Sequence, residues 1–282
     1  MGARETALNA LIACRMEQGW SNAVLKKYIR RDALDARDAA LATRLCYGVV
    51  QNRGKLDFYL AQLLKGSLKK LHPAVRDILH LGLYQIYELD KIPDSAAVNE
   101  SVRLARKYGP AGCDKLVNGV LRNAVRTKGT LKEPTFYEDK YSHPAELVAL
   151  LKTALPKGTL ESVLKADNEA PDTVIQVNTL KTDMGSLVKR LEAEGVQARP
   201  HCWMENCLVL SGTGSLEQLP SFREGFYYVQ DPASRLSVLC AGLKPGMAVL
   251  DCCAAPGGKS FAAAMVMGGQ GSITSCDVHA HK

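Results

Sequence analysis

The chain has 282 residues, 46% of them hydrophobic, a formal net charge of +7 and nine cysteines. That length and apolar content suffice for two or three cored domains, while an odd cysteine count with no C-x-x-C pair argues against a disulfide framework or a zinc ribbon. No charged-then-apolar leader opens the sequence and no apolar run nears the roughly 18 residues that span a bilayer, so a cytoplasmic, monomeric protein with no membrane and no metal partner is expected.

Charge is unevenly spread. Residues 1–130 carry 22 Lys/Arg against 12 Asp/Glu, a net of +10, whereas residues 131–282 carry 14 against 17, a net of −3. A local excess of this size either concentrates a polyanion at the surface or is the solvated face of a helical domain. Apolar spacing predicts helices over 3–16, 22–31, 37–64, 73–89, 95–108 and 113–126, with Gly and Pro between them. In the fourth, Val75, Ile78, Leu79, Leu83 and Ile86 recur at helical spacing and Pro73 suits a first turn. Residues 1–130 are therefore expected to form an all-α domain. Its segments Ala97-Val98-Asn99-Glu100 through Arg106-Lys107-Tyr108-Gly109 and Leu116-Val117-Asn118-Gly119-Val120-Leu121-Arg122 resemble the NusB antitermination family. The resemblance implies a helical RNA-binding bundle. On the last helix Val117, Val120 and Leu121 would face the core, which leaves Lys115, Arg122 and Arg126 to contact RNA phosphate.

Residues 131–230 are expected to be a connector followed by a small α+β insert. Helical patterns cover 145–155 and 159–166. Then come a strand at 173–177, a helix at 183–194, strand-like stretches at 196–201 and 208–210, and a further strand at 226–229. His201, Cys202 and Cys207 lack a second pair at zinc-type spacing, so a structural role is expected for them.

Residues 231–282 read as the start of an α/β Rossmann-like domain. Asp231 and Pro232 suit the cap and first turn of a helix over 233–243. The apolar run 247–250 leads into Asp251-Cys252-Cys253-Ala254-Ala255-Pro256-Gly257-Gly258-Lys259-Ser260, then a small-residue helix over 261–267 and a strand over 272–276. Strand, glycine turn and helix make an anion- and nucleotide-binding corner. Two common glycine-loop patterns fail letter by letter: Cys253 stands where a P-loop needs its first glycine, and adjacent Gly257 and Gly258 break the dinucleotide spacing.

The loop is close to the D-x-C-A-A-P-G-G-K segment of RNA cytosine-5 methyltransferases. Val229-Gln230-Asp231-Pro232-Ala233-Ser234 is similar to the VQDxAS segment of the RsmB (Sun/Fmu) type. Val177-Asn178-Thr179-Leu180-Lys181 resembles its RVNTLK segment, with Gln176 where Arg is usual, and Tyr141-Ser142-His143-Pro144 resembles its YSHP. The resemblance implies three domains: a NusB-like helical one, an RNA-recognition-like insert and a methyltransferase core. It also implies S-adenosylmethionine as cofactor and ribosomal RNA as partner. The cofactor would lie against Cys253, Ala254, Ala255, Pro256, Gly257, Gly258 and Lys259. Asp277, after the next strand, is at the separation of a ribose-binding carboxylate. For Asp277 a solvated strand end, and for Lys259 an exposed first-turn residue, are the alternatives.

Cys252 and Cys253 are expected beneath the cofactor as small buried hydrophobes rather than as the nucleophile. The family's catalytic cysteines stand in Pro-Cys-Ser and Thr-Cys-Ser contexts, and neither tripeptide occurs here. The resemblance thus implies a nucleophile beyond Lys282, a chain inactive on its own, and no catalytic residue within it. A non-catalytic NusB-like RNA-binding protein and a nucleotide hydrolase using Gly258-Lys259-Ser260 remain as rivals.

Overall fold

The computed structural model describes residues 2–17, 21–214 and 216–278, and the chain divides into two compact units at Glu169/Ala170. The first unit contains α1 (Ala3–Glu17), α2 (Ser21–Arg31), α3 (Ala36–Gln51), α4 (Arg53–Leu63), α5 (Pro73–Glu88), α6 (Asp94–Tyr108), α7 (Cys113–Arg126) and three short helices, α8 (Tyr137–Lys140), α9 (Ala145–Ala154) and α10 (Leu160–Asp167).

Helix α5 is the axis of this unit. Pro73 occupies its first turn, and every residue from Val75 to Ile86 except Arg76 is buried, so the predicted apolar stripe is only part of an enclosed surface. Leu8 and Leu11 of α1, Leu45 and Val49 of α3, Leu104 of α6 and Val117, Val120 and Leu121 of α7 complete the core. The polar residues that α5 carries inward have partners, although His80 Nδ1 itself has none among the described residues. Arg76 and His80 both bond the Asp57 carboxylate of α4, His80 at 2.8 Å, and Gln85 accepts from Arg4 at 2.6 Å.

The single helix expected over 37–64 is broken at Asn52. Its backbone leaves the helical region (φ −100°, ψ 18°), and its side-chain amide donates to the Gly48 carbonyl at 2.9 Å, closing α3. Gly54, just beyond, lets α4 pass close to the backbone of Glu138 and Ser142.

Residues 131–169, the expected connector, pack with the helices. Polar bonds hold them there. Gln62 exchanges two bonds with the Lys132 backbone at 3.0 Å each, the Tyr59 hydroxyl donates to Glu133, Lys55 N–H donates to Ser142 Oγ at 3.0 Å, and Gln51 reaches the Asn168 carbonyl at 2.7 Å.

The second unit opens with a four-stranded antiparallel sheet of order β2-β3-β1-β4, built from β1 (Thr173–Val177), β2 (Gln197–Pro200), β3 (Cys207–Ser211) and β4 (Tyr227–Val229). Alternation along β1 sends Ile175 and Val177 to one face, where Leu208, Leu210 and Tyr227 join Leu187 and Leu191 of α11 (Met184–Ala193). Asp183 caps α11 by accepting from Ser186 N–H at 2.9 Å. A one-turn helix, α12 (Pro220–Arg223), precedes β4. The opposite face of β1 carries Val174 and Gln176, which lie across from Val209 and Cys207 of β3.

Next come α13 (Pro232–Cys240), β5 (Ala248–Asp251), α14 (Gly258–Val266) and β6 (Ser272–Ser275). Asp231 caps α13 through Ala233 N–H at 2.8 Å, with Pro232 in the first turn, as the Asp-Pro pair predicts. β5 and β6 are parallel and in register from Ala248↔Ser272 to Asp251↔Ser275. Val238, Ala262 and Ala263, with Leu243 and Ile273, form their small core. Among the described residues no helix is long and apolar enough to cross a membrane.

Candidate functional site

Asp251 ends β5, and its carboxylate organises the loop that follows. Oδ1 accepts from Cys253 N–H at 3.2 Å, and Oδ2 from the Ser260 hydroxyl at 2.8 Å. Ser260, in the first turn of α14, also meets Ser275 Oγ of β6 at 2.8 Å. The strand pairing continues past the strand ends. Cys276 N–H donates to the Asp251 carbonyl at 2.8 Å and Ala254 N–H to the Cys276 carbonyl at 3.0 Å. Ala255 N–H then donates to Asp277 Oδ2 at 3.1 Å. The structure thus brings Asp277 against the glycine loop, 22 residues away in sequence, at the carboxyl ends of two parallel strands, where open α/β sheets bind ligands.

Two glycines shape the turn. Gly257 has φ +109°, a conformation L side chains rarely adopt, and an added Cβ would come 3.2 Å from the Phe261 ring. A Cβ on Gly258 would come 3.1 Å from the Gln230 amide nitrogen. The loop therefore runs on bare backbone, and the first-turn N–H groups of α14 form a partially positive end suited to a carboxylate or phosphate. Of the predicted contacts, Ala254 is buried, Ala255, Gly257 and Gly258 are half-buried, and Pro256 and Lys259 are exposed. The Lys259 ammonium meets no described partner.

Cys252 and Cys253 depart from expectation. Both are exposed, because the loop turns outward immediately after Asp251 and it is the Ala254 and Ser260 side chains that it buries. Cys207 is buried, its sulfur 3.5 Å from the Gln176 amide, and His201 Nδ1 accepts from Met204 N–H at 3.3 Å while its ring meets Trp203 edge-on. Among the described residues no group of three His, Cys, Asp or Glu could hold a metal ion.

Pattern reading missed the support behind the loop. Arg235 of α13 is buried and donates to Gln176 Oε1 at 2.6 Å; the Gln176 amide donates to the Gln230 carbonyl at 3.2 Å, and the Tyr228 hydroxyl to Gln230 Oε1 at 3.2 Å. Gln230, backing Gly258, is thereby tied to the sheet. Its place in the Val229–Ser234 segment was the available signal, but the partner residue lies 54 positions away.

The predicted RNA face is on α7. Lys115, Arg122 and Arg126 are all exposed, while Val117, Val120 and Leu121 are buried. Lys115 and Arg126 line one groove of about 390 Å3 with Lys65, Leu116 and Asn123. Arg122 does not; it bonds Asn118 at 3.0 Å, one turn away, and Arg126 bonds Asn123 at 2.7 Å.

Residues 1–126 match the NusB family, and residues 143–217 match the ferredoxin-like domain of RsmF/B-like methyltransferases. The chain is similar along its whole length to ribosomal RNA small subunit methyltransferases B. It is 34% identical over 284 residues to the probable ribosomal RNA small subunit methyltransferase B of Bacillus subtilis (strain 168), covering 99% of this chain and 63% of that protein. It is 31% identical to the ribosomal RNA small subunit methyltransferase B of Pseudomonas putida, covering 100% of this chain and 64% of the relative. The chain therefore spans just under two thirds of the length of these relatives. The crystal structure of PH0851 shares the fold, with a TM-score of 0.72 at 22% identity over 98% of this chain and 64% of its own.

Proposed function

We propose that this chain is of the RsmB type and serves the S-adenosylmethionine-dependent methylation of ribosomal RNA at cytosine C5, holding the methyl donor on the 253–259 loop and Asp277 and the RNA on its helical unit. The relatives' names support the reaction class. One observation carries the site: Asp277 and the glycine loop meet at the ends of two parallel strands. The residues fit such a donor, because backbone N–H groups at the start of α14 suit its carboxylate and Asp277 can accept from ribose hydroxyls. When bound, S-adenosylmethionine supplies an electrophilic methyl group. Asp251 and Ser260 fix the loop, Gly257 and Gly258 keep its floor clear, and Gln230 backs it.

Cytosine-5 chemistry needs a thiolate at C6 of the base, and the resembled family provides it from tripeptides that these 282 residues do not contain. The chain alone is therefore proposed to bind the donor without transferring its methyl group. Photocrosslinking with methyl-labelled S-adenosylmethionine in the presence of ribosomal RNA tests both halves. Label is expected on a peptide spanning 251–277, competed by S-adenosylhomocysteine, with no 5-methylcytosine in the RNA. Competition by ATP instead would point to the nucleotide hydrolase, and methylated cytosine would overturn the inactivity.

A further inference from the structure

Helices α2 and α3 enclose a surface groove of about 580 Å3. Lys26, Ile29 and Arg30 of α2 and Thr43 and Tyr47 of α3 form its walls, Asn22 stands among them, and no carboxylate lines it. Lys26, Arg30 and the adjacent Lys27 and Arg44 are exposed, and none pairs with a described carboxylate. Several other cations of the unit are taken up by carboxylates, Arg31 by Asp32, Lys55 by Glu88, Arg76 by Asp57, Arg103 by Glu100 and Lys107 by Glu5. Lys115, Arg122 and Arg126 of α7 also pair with no described carboxylate, but the groove that Lys115 and Arg126 line has no aromatic ring. Tyr47 is 40% exposed in the same groove.

We propose that the α2/α3 groove is a single-stranded RNA site, with Lys26 and Arg30 on backbone phosphates and one base stacked on the Tyr47 ring. The RNA identity rests on the reading of the protein as an rRNA-modifying one; the binding itself needs no methyl donor. Cations left without acids, beside an exposed aromatic ring, combine the two elements that hold single strands: charge along the backbone and a π-face for an unpaired base. A solvated cationic helix face needs neither groove nor ring. A duplex has no unstacked base to offer Tyr47; the apolar part of the lining, Ala23, Leu25 and Ile29, makes an amphipathic peptide the competitor that the test must separate.

Fluorescence anisotropy of the full chain with a labelled single-stranded RNA of about 12 nucleotides, from about 50 to 200 mM salt, tests the site. Lys26→Ala/Arg30→Ala is expected to weaken binding about tenfold and to lower the log–log salt slope by about 1.4, at about 0.7 per lost phosphate contact on a single strand. Tyr47→Leu is expected to weaken it about fivefold or more with the slope unchanged. Unaltered affinity in either variant, with circular dichroism confirming the fold, would overturn the proposal, as would tighter binding of a duplex of equal length or competition by an amphipathic peptide. Titrating S-adenosylmethionine into the same preparations separates the two readings: loss of donor binding with RNA affinity intact refutes the enzyme reading and leaves the groove standing.

Discussion

Arg235 is a buried guanidinium without a carboxylate, and Gln176 supplies its 2.6 Å acceptor, while the Arg235 Nε has no partner. Removing an acceptor from a buried charge costs more than the bond itself is worth. Gln176→Ala is therefore expected to lower stability by about 2–3 kcal/mol, whereas Gln176→Glu, which pairs the charge, should cost less; urea unfolding of both variants measures the difference. Glu5 is a second such residue, 4% exposed and bonded by Lys107 and Tyr108. Burial pushes its carboxyl up, but those hydrogen bonds and the charges of Lys107 and Arg103 outweigh burial and hold it below the ordinary 4.5. A carboxyl depressed in the folded state binds its proton more weakly than in the unfolded chain, so its contribution is full above about 4.5 and fades as pH falls through the lower folded value. Thermal melts from pH 7 to 3 should show Glu5→Gln flattening the acid limb of the stability curve.

Two glycines on neighbouring helices give opposite expectations. At Gly82 of α5 a Cβ would lie 2.5 Å from Leu121 Cδ1 of α7 and 3.0 Å from Ser101 Oγ, and at Gly119 of α7 it would meet nothing. Ala gains about 0.5–1 kcal/mol over Gly inside a helix, whereas overpacking costs about 1–3 kcal/mol. Gly82→Ala should therefore lower the midpoint of denaturant unfolding, and Gly119→Ala should raise it by the propensity gain alone. The helices and strands that carry this packing were legible because their apolar residues repeat at their own periods, and the helix starts at Pro73 and Asp231 followed from residue type. The break at Asn52 was not: apolar residues continue on both sides, and the closing bond to Gly48 is a side-chain contact. The strapping of 131–169 onto α3 and α4 was hidden for the same reason, since polar bonds between distant residues leave no period. At the loop, the turn and Asp277 could be read from spacing, while the exposure of Cys252 and Cys253 depends on which way the chain leaves β5.

At the scale of the whole molecule the two units divide the chemistry. The helical unit holds all the excess positive charge and two basic grooves; the second unit holds a nearly neutral α+β sheet and the glycine-loop corner. Such a division suits a protein that grips RNA with one unit and offers a small ligand to the other. The corner is where the account stands or falls, and calorimetric titration of S-adenosylmethionine into the full chain and its Asp277→Ala variant tests it most directly. The chain should bind one donor per molecule and ignore ATP, and loss of the Asp277 carboxylate should weaken donor binding about tenfold, as about 1.4 kcal/mol of hydrogen bonding to the ribose would require. Equal affinity in both proteins, heat with ATP alone, or no heat with the donor would contradict it.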